Sequence, residues 1–208
     1  MLFEYLQEHY REGEPIFLDD IRIEGMSRPN FRQQIKTLAD SGKIVRYEKG
    51  IYYIPKPARY HFSTGPSPET VANYKYIARQ GKVSGYYSGG TFANLIGISN
   101  QVPAKMEIVT NNSAAIVREV AIGNQRFIVR RSNVPVTNEN VSVLQLLGLL
   151  KNLDSYLDCG YTNARNRIKT YSLANKITKG DIDRYIRSFP DSVYRFYYEM
   201  RLDDVLAP

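Results

Sequence analysis

Ser27-Arg28-Pro29-Asn30-Phe31-Arg32-Gln33-Gln34-Ile35-Lys36-Thr37-Leu38-Ala39-Asp40-Ser41-Gly42, running straight into Lys43-Ile44-Val45-Arg46-Tyr47-Glu48-Lys49-Gly50-Ile51-Tyr52-Tyr53-Ile54-Pro55, is the stretch whose reading decides the fold. Ser27 has the side chain of an N-cap, Pro29 is tolerated in a first helical turn, and Gly42 stops a helix after its last periodic residue. Phe31, Ile35 and Leu38 recur at i, i+4 and i+7 and form one apolar stripe. The opposite face carries Arg32, Gln33 and Lys36, with Arg28 and Asn30 near the N-terminal end. These side chains bind phosphates and read base edges in a major groove. Two β-rich runs joined by Glu48-Lys49-Gly50 then read as a hairpin with Arg46 and Lys49 on it.

Upstream, Leu2-Phe3-Glu4-Tyr5-Leu6 opens a short helix that Gly13 and Pro15 end, and Ile16, Leu18 and Ile21 predict a second short helix across Leu18-Asp19-Asp20-Ile21. Three short helices followed by a basic hairpin is the order of a winged helix-turn-helix. In that arrangement the second helix braces, the third enters the major groove and the wing reaches the neighbouring backbone.

The charge is distributed to match. Residues 1–25 hold two basic and seven acidic side chains, a net of −5, whereas residues 26–59 hold eight basic and two acidic, a net of +6. A winged helix can also serve protein contacts, but a neutral or negative third helix would favour that use. The whole chain carries +7 with a pI near 9.4, which favours a polyanionic partner.

At 208 residues, two domains of unequal size are expected. Hydrophobic content of 43% against 24% charged residues places both outside the disordered regime. No run approaches the roughly 18 apolar residues of a membrane span, and Met1-Leu2-Phe3-Glu4 is too acidic for a signal peptide, so a cytoplasmic protein without a membrane partner is expected.

Lys56-Pro57 and Thr64-Gly65-Pro66-Ser67-Pro68 bracket a breaker-rich connector. The expected organisation is a DNA-binding winged helix over 1–56, a connector over 57–66 and an α+β domain over 67–208. Within the last, helices are predicted at Glu69–Arg79 (capped by Ser67), Thr91–Ile96, Val143–Leu157, Ile182–Phe189 and Val193–Met200. Strands are predicted at Lys105–Thr110, Ala115–Ile122 and Arg126–Arg131, giving one small sheet with helices gathered around it. Arg165, Arg167, Lys169, Lys176 and Lys179 fall between Cys159 and Gly180 with no acidic residue among them. Interleaved with Tyr161 and Tyr171, they form either a second basic surface that tracks a nucleic-acid backbone or an ordinary solvated face.

The segment from Leu38 to Arg46 and Gly50-Ile51-Tyr52-Tyr53-Ile54-Pro55 resembles the N-terminal module of AbiEi-type antitoxins of abortive-infection systems. Ser88-Gly89-Gly90-Thr91-Phe92-Ala93-Asn94-Leu95-Ile96-Gly97, then Gln101-Val102-Pro103-Ala104 and Ile108-Val109-Thr110-Asn111, is similar to the most recognisable C-terminal stretch of that family. The resemblance runs from about residue 15 to 150, and the Gln-Val-Pro-Ala tetrapeptide with its spacing to Thr-Asn is its specific part. It implies a repressor that binds inverted repeats in the promoter of its own bicistronic operon. It also implies an antitoxin that counters a nucleotidyltransferase-like toxin in the type IV manner, without a stable complex.

No catalytic residue, metal site or cofactor is expected. The chain has two histidines, His9 at the end of the first helix and His61 in the connector, and the single Cys159 allows neither an internal disulfide nor a cysteine-based zinc site. Gly81-Lys82-Val83-Ser84 lacks the earlier glycine of a phosphate-binding loop. Gly89-Gly90-Thr91, a helix and then Met106-Glu107-Ile108-Val109-Thr110 looks like the start of a nucleotidyltransferase core. There, two strand carboxylates one residue apart hold the metal ions, and here Glu107 is followed by Val109 where the second acid belongs. Glu119 is the only other acid on the predicted strands. The alternatives to a repressor and antitoxin are therefore a nucleotidyltransferase-like enzyme and a plain winged-helix regulator with a ligand-sensing domain.

Overall fold

A computed structural model describes residues 1–56, 65–204 and Leu206. Its contacts divide the chain into two compact units, Met1–Val71 and Ala72–Pro208. Most of the 57–66 connector, with His61, lies outside the described residues.

The first unit contains α1 (Leu2–His9), β1 (Ile16–Phe17), a 3-10 turn (Leu18–Asp20), α2 (Arg28–Asp40), β2 (Val45–Glu48) and β3 (Ile51–Tyr53). The helix expected across Leu18–Ile21 is thus a single 3-10 turn. Ile16 and Phe17 are drawn into antiparallel pairing with Tyr52 and Ile51, which leaves too few residues to nucleate an α-helix. The two-residue β1 completes a three-stranded sheet of order β1-β3-β2. Leu2, Leu6, Ile16, Ile21, Ile35, Ile44 and Ile54 form one core under it.

The wing turns on Lys49-Gly50. Gly50 has φ +80°, in the left-handed region where a Cβ would be strained, and its carbonyl accepts the Leu18 N–H at 3.0 Å. Tyr47 is the extra residue of a β-bulge, since Arg46 pairs with Tyr52 but Glu48 with Ile51.

The boundary between the units falls inside α3 (Pro68–Ala72), which continues as a π-helical turn over Asn73–Ile77. The helix expected to reach Arg79 stops there because Gln80 and Gly81, both at positive φ, reverse the chain into a hairpin of β4 (Ala78–Arg79) and β5 (Lys82–Val83).

The second unit is built on a four-stranded sheet of order β6-β7-β9-β8, from β6 (Gly85–Ser88), β7 (Met106–Thr110), β8 (Val117–Ile122) and β9 (Gln125–Arg131). Only β7 and β9 run parallel. Around the sheet lie α4 (Gly89–Leu95), α5 (Val141–Leu150), a 3-10 turn (Leu153–Tyr156), α6 (Gly160–Ala174), α7 (Lys179–Tyr185) and α8 (Asp191–Glu199). The fold is α+β. Its centre is α5, with Val143, Leu144, Leu146, Leu147, Leu149 and Leu150 all buried, and it packs against β6, α4, α7 and α8. A helix apolar on every side belongs in the middle of a core. It ends at Leu150 rather than at Leu157, the chain tightening into the 3-10 turn. Among the described residues no helix is long and apolar enough to cross a membrane.

Candidate nucleic-acid interface

Helix α2 is fixed at both ends by local chemistry. The Ser27 Oγ accepts the Asn30 N–H at 3.4 Å, Pro29 occupies the first turn, and Gly42 leaves the helix at φ +70°. Ile35 is buried, Phe31 and Leu38 pack beside it, and the stripe holds the helix against the core. Arg28, Asn30, Arg32, Gln33 and Lys36 are all exposed, as are Arg46 and Lys49 on the wing.

The seven residues do not share one surface. Arg28 and Arg32, about 40° apart around the helix axis, face the hairpin, where they meet Arg46 and Lys49 across a cleft of about 1000 Å³. Ile21, Met26, Phe31 and Tyr52 supply its apolar lining. Asn30, Gln33 and Lys36 lie outside the cleft on the outward faces of α2, and the Asn30 Oδ1 accepts the Gln34 amide at 3.2 Å. Arg22 joins the cleft, its guanidinium donating to the Ile21 carbonyl at 2.9 Å. Nothing in the sequence marked it, since it lies in the acidic half of the unit, where Arg11 and Arg22 face seven carboxylates. Asp19 and Glu24 share the rim, so the cleft sets five cations against two carboxylates. Among the described residues none of Arg28, Arg32, Lys36, Arg46 and Lys49 is in an ion pair, although the Arg46 Nε donates to the Glu48 carbonyl at 3.4 Å.

The second basic run behaves differently. Arg165, Arg167 and Lys169 fall on α6, which sequence periodicity did not reveal. Arg165 and Lys169 share one side of that helix, whereas Arg167 points to the other and lies against Gly97. Arg165 is committed to the chain itself, donating to the Arg201 carbonyl at 3.2 Å and lying 3.8 Å from Asp204. The Tyr171 ring packs edge-on against Phe92, and its hydroxyl donates to Gln145. Burial pushes that phenol up to about 12. Tyr171 is therefore a core residue and offers no face for a base, while Lys176 follows the end of α6 and Lys179 is the first residue of α7.

Glycine and carboxylate of the nucleotidyltransferase-like stretch do meet. Gly89 opens α4 at φ +57°, and a Cβ there would collide with the Glu107 carboxylate on the paired strand β7. That carboxylate accepts the Arg130 Nε at 3.5 Å. Glu107, Val109 and Arg130 line one cavity of the second unit. The His9 ring stacks on Tyr5, with Nδ1 at 2.9 Å from the Tyr5 carbonyl. Among the described residues no three His, Cys, Asp or Glu side chains are grouped to hold a metal ion.

The tetrapeptide Gln101-Val102-Pro103-Ala104 forms the loop between α4 and β7, with Val102 81% exposed. Its entry is pinned by Asp158, whose carboxylate accepts the Ser99 hydroxyl at 2.7 Å and the Asn100 N–H at 2.9 Å. Those hydrogen bonds hold the Asp158 carboxyl below the usual carboxylate range. Thr110 is buried and donates to the Tyr76 carbonyl at 2.6 Å, while Asn111 exchanges two hydrogen bonds with the Val136 backbone.

No curated protein matches the chain. Residues 3–154, which span the cleft and the whole four-stranded sheet, match a family described as "Family of unknown function (DUF6088)", and with that share of its length covered the chain belongs to this family.

Proposed function

We propose that this protein is a cytoplasmic DNA-binding repressor, with α2 entering the major groove and the wing holding the adjacent phosphate backbone. The observation that carries the reading is the cleft in which Arg28 and Arg32 face Arg46 and Lys49, none of the four being in an ion pair among the described residues. Cations left without acidic partners on one surface are the footprint of a polyanion. Asn30 and Gln33 on the outward faces of α2 are the side chains left to read base edges, with Lys36 beside them to hold phosphate.

The resemblance to AbiEi-type antitoxins refines the proposal: the operator is a pair of inverted repeats upstream of the protein's own gene, and the second unit counters a nucleotidyltransferase-like toxin encoded beside it. The reading contains no catalytic step. It is supported by the Glu107 carboxylate being held by Arg130 and by Val109 standing beside it where a second metal-binding acid would be needed.

Footprinting on the DNA upstream of the gene tests the first claim, a protected inverted repeat being the expected result. Protection no stronger than on unrelated DNA overturns it. Co-expression with the neighbouring reading frame tests the second. Failure to restore growth, with the full chain folded and present, removes the antitoxin role and leaves the regulator.

A further inference from the structure

A second cavity, of about 240 Å³, lies wholly within the second unit, between one face of the four-stranded sheet and α5. Tyr86 and Ser88 are two residues apart on β6 and so project from the same face of that strand. They pair with Val109 and Glu107 across the antiparallel β6–β7 ladder, which puts all four side chains on the cavity side. Tyr86 is 4% exposed and Ser88 9%, yet neither hydroxyl has a hydrogen-bond partner among the described residues. A buried hydroxyl ordinarily finds one. Burial pushes the Tyr86 phenol up, so it keeps its hydrogen at every physiological pH.

Gly148, the only glycine of α5, opens the wall in front of them. A Cβ built there would lie 3.7 Å from the Ser88 Oγ and 3.8 Å from the Tyr86 hydroxyl oxygen, so both oxygens converge on one point. Leu144, Val109 and Phe189 line the cavity with apolar surface. The charges balance. The Glu107 Oε2 accepts the Arg130 Nε at 3.5 Å, and the Glu107 Oε1 has no hydrogen-bond partner among the described residues. Arg131 belongs to the other face of the sheet, where it donates to the Ala114 carbonyl at 3.3 Å, and Lys151 is exposed at the rim. The interior thus offers two hydroxyl hydrogens, a carboxylate oxygen beside them and no net charge.

We propose that this cavity binds a primary carboxamide carried on a single six-membered ring. A carbonyl oxygen has two lone pairs and accepts both hydroxyl hydrogens, while the amide nitrogen donates to the Glu107 Oε1. A carboxylate in its place would meet Glu107 as a like charge, and an ester would have no hydrogen to give that oxygen. Apolar walls with a few polar groups at one end are how small-molecule sites bury a ring while fixing its orientation. The volume sets the size: a cavity of about 150 Å³ encloses benzene, and the larger one here has room for an amide group besides. Nothing in the DNA-binding reading calls for such a site, and its failure would leave that reading intact.

The test is titration of the full chain with benzamide, followed through the chemical shifts of its backbone amides. Shifts are expected at the β6 residues Tyr86 and Ser88 and along α5 from Leu144 to Leu150, with a Kd below about 1 mM. Methyl benzoate, benzoate and toluene keep the ring and alter or remove the amide, and each should bind at least about fivefold more weakly. Tyr86→Phe and Ser88→Ala should weaken benzamide by at least about the same fivefold factor. Both variants should be as stable to urea as the wild type, because each deletes a hydroxyl that no other group of the fold uses. No shifts with benzamide at about ten times that Kd, shifts centred elsewhere, methyl benzoate or toluene matching benzamide, unchanged affinity in either variant, or clear destabilisation of both variants would each overturn the proposal.

Discussion

The Glu107 carboxylate lies against the Cα of Gly89, in the space a side chain at position 89 would occupy. Gly89 is also in the left-handed region, so Gly89→Ala meets both a collision and a backbone penalty, together about 1–3 kcal/mol. The collision is with a flexible side chain, and removing that side chain should recover part of the loss. Denaturant unfolding of Gly89→Ala, Glu107→Ala and the double variant checks this. Strict additivity of the two single effects would show that the contact carries no energy.

Replacing Arg32 and Lys36 by Ala should flatten the salt dependence of DNA binding. Each lost phosphate contact lowers the log–log slope by about 0.9, so the pair should remove about 1.8 if both touch phosphates. Lys36 lies outside the cleft and Arg32 inside it. The single variants therefore separate the two surfaces. A slope unchanged by both would take α2 out of the interface.

The wing should position rather than specify. Arg46→Ala with Lys49→Ala is expected to weaken operator and unrelated DNA by a similar factor, because backbone contacts carry no sequence information. Fluorescence anisotropy on both duplexes reads this directly. Loss of discrimination with non-specific affinity retained would reverse the roles of wing and helix.

Asn111 fastens the chain after β7 to the segment before α5: its side chain accepts the Val136 N–H at 2.9 Å and donates to the Val136 carbonyl at 2.8 Å. Val136 is 3% exposed, so Asn111→Ala strands two backbone groups away from water. The expected loss is about 2–4 kcal/mol in chemical denaturation. A loss below about 0.5 kcal/mol would mean that water replaces both hydrogen bonds.

Asp158 gives the loop after α4 an acid-sensitive anchor. Its folded carboxyl titrates below the unfolded one, so the stability it contributes is present above the ordinary aspartate range and is lost as pH falls through the folded value. The stability difference between the wild type and Asp158→Ala should thus shrink on acidification and stay constant at neutral pH. A difference that grows toward acid would give the carboxylate the opposite sign.

What the sequence made legible follows from how each signal arises. The stripe Phe31, Ile35, Leu38 and the stops at Ser27 and Gly42 place α2 within about a residue, because cap and periodicity agree. Strand β1 is two residues long and exists by pairing with β3, a partner distant in sequence, so no local pattern announces it. Helix α6 escaped because its buried residues Ala164, Ile168 and Ser172 are few and partly polar, and its conspicuous charges drew the reading instead. For the site, residue type predicted exposure at all seven positions. Only the fold could decide that Arg28 and Arg32, not Asn30, Gln33 and Lys36, share a cleft with the wing.

The enclosure of α5 also determines where the chain can be cut. The family match ends at residue 154, but α7 and α8, which pack against α5, begin at Lys179 and Asp191. A fragment stopping at the match would keep Leu146, Leu147 and Leu150 and lose much of what covers them. Such a piece exposes a continuous leucine surface to water and to its own copies, and it should collect in inclusion bodies. In the intact chain, the amides of α5 should exchange with deuterium last of all in the second unit, only when that whole unit opens.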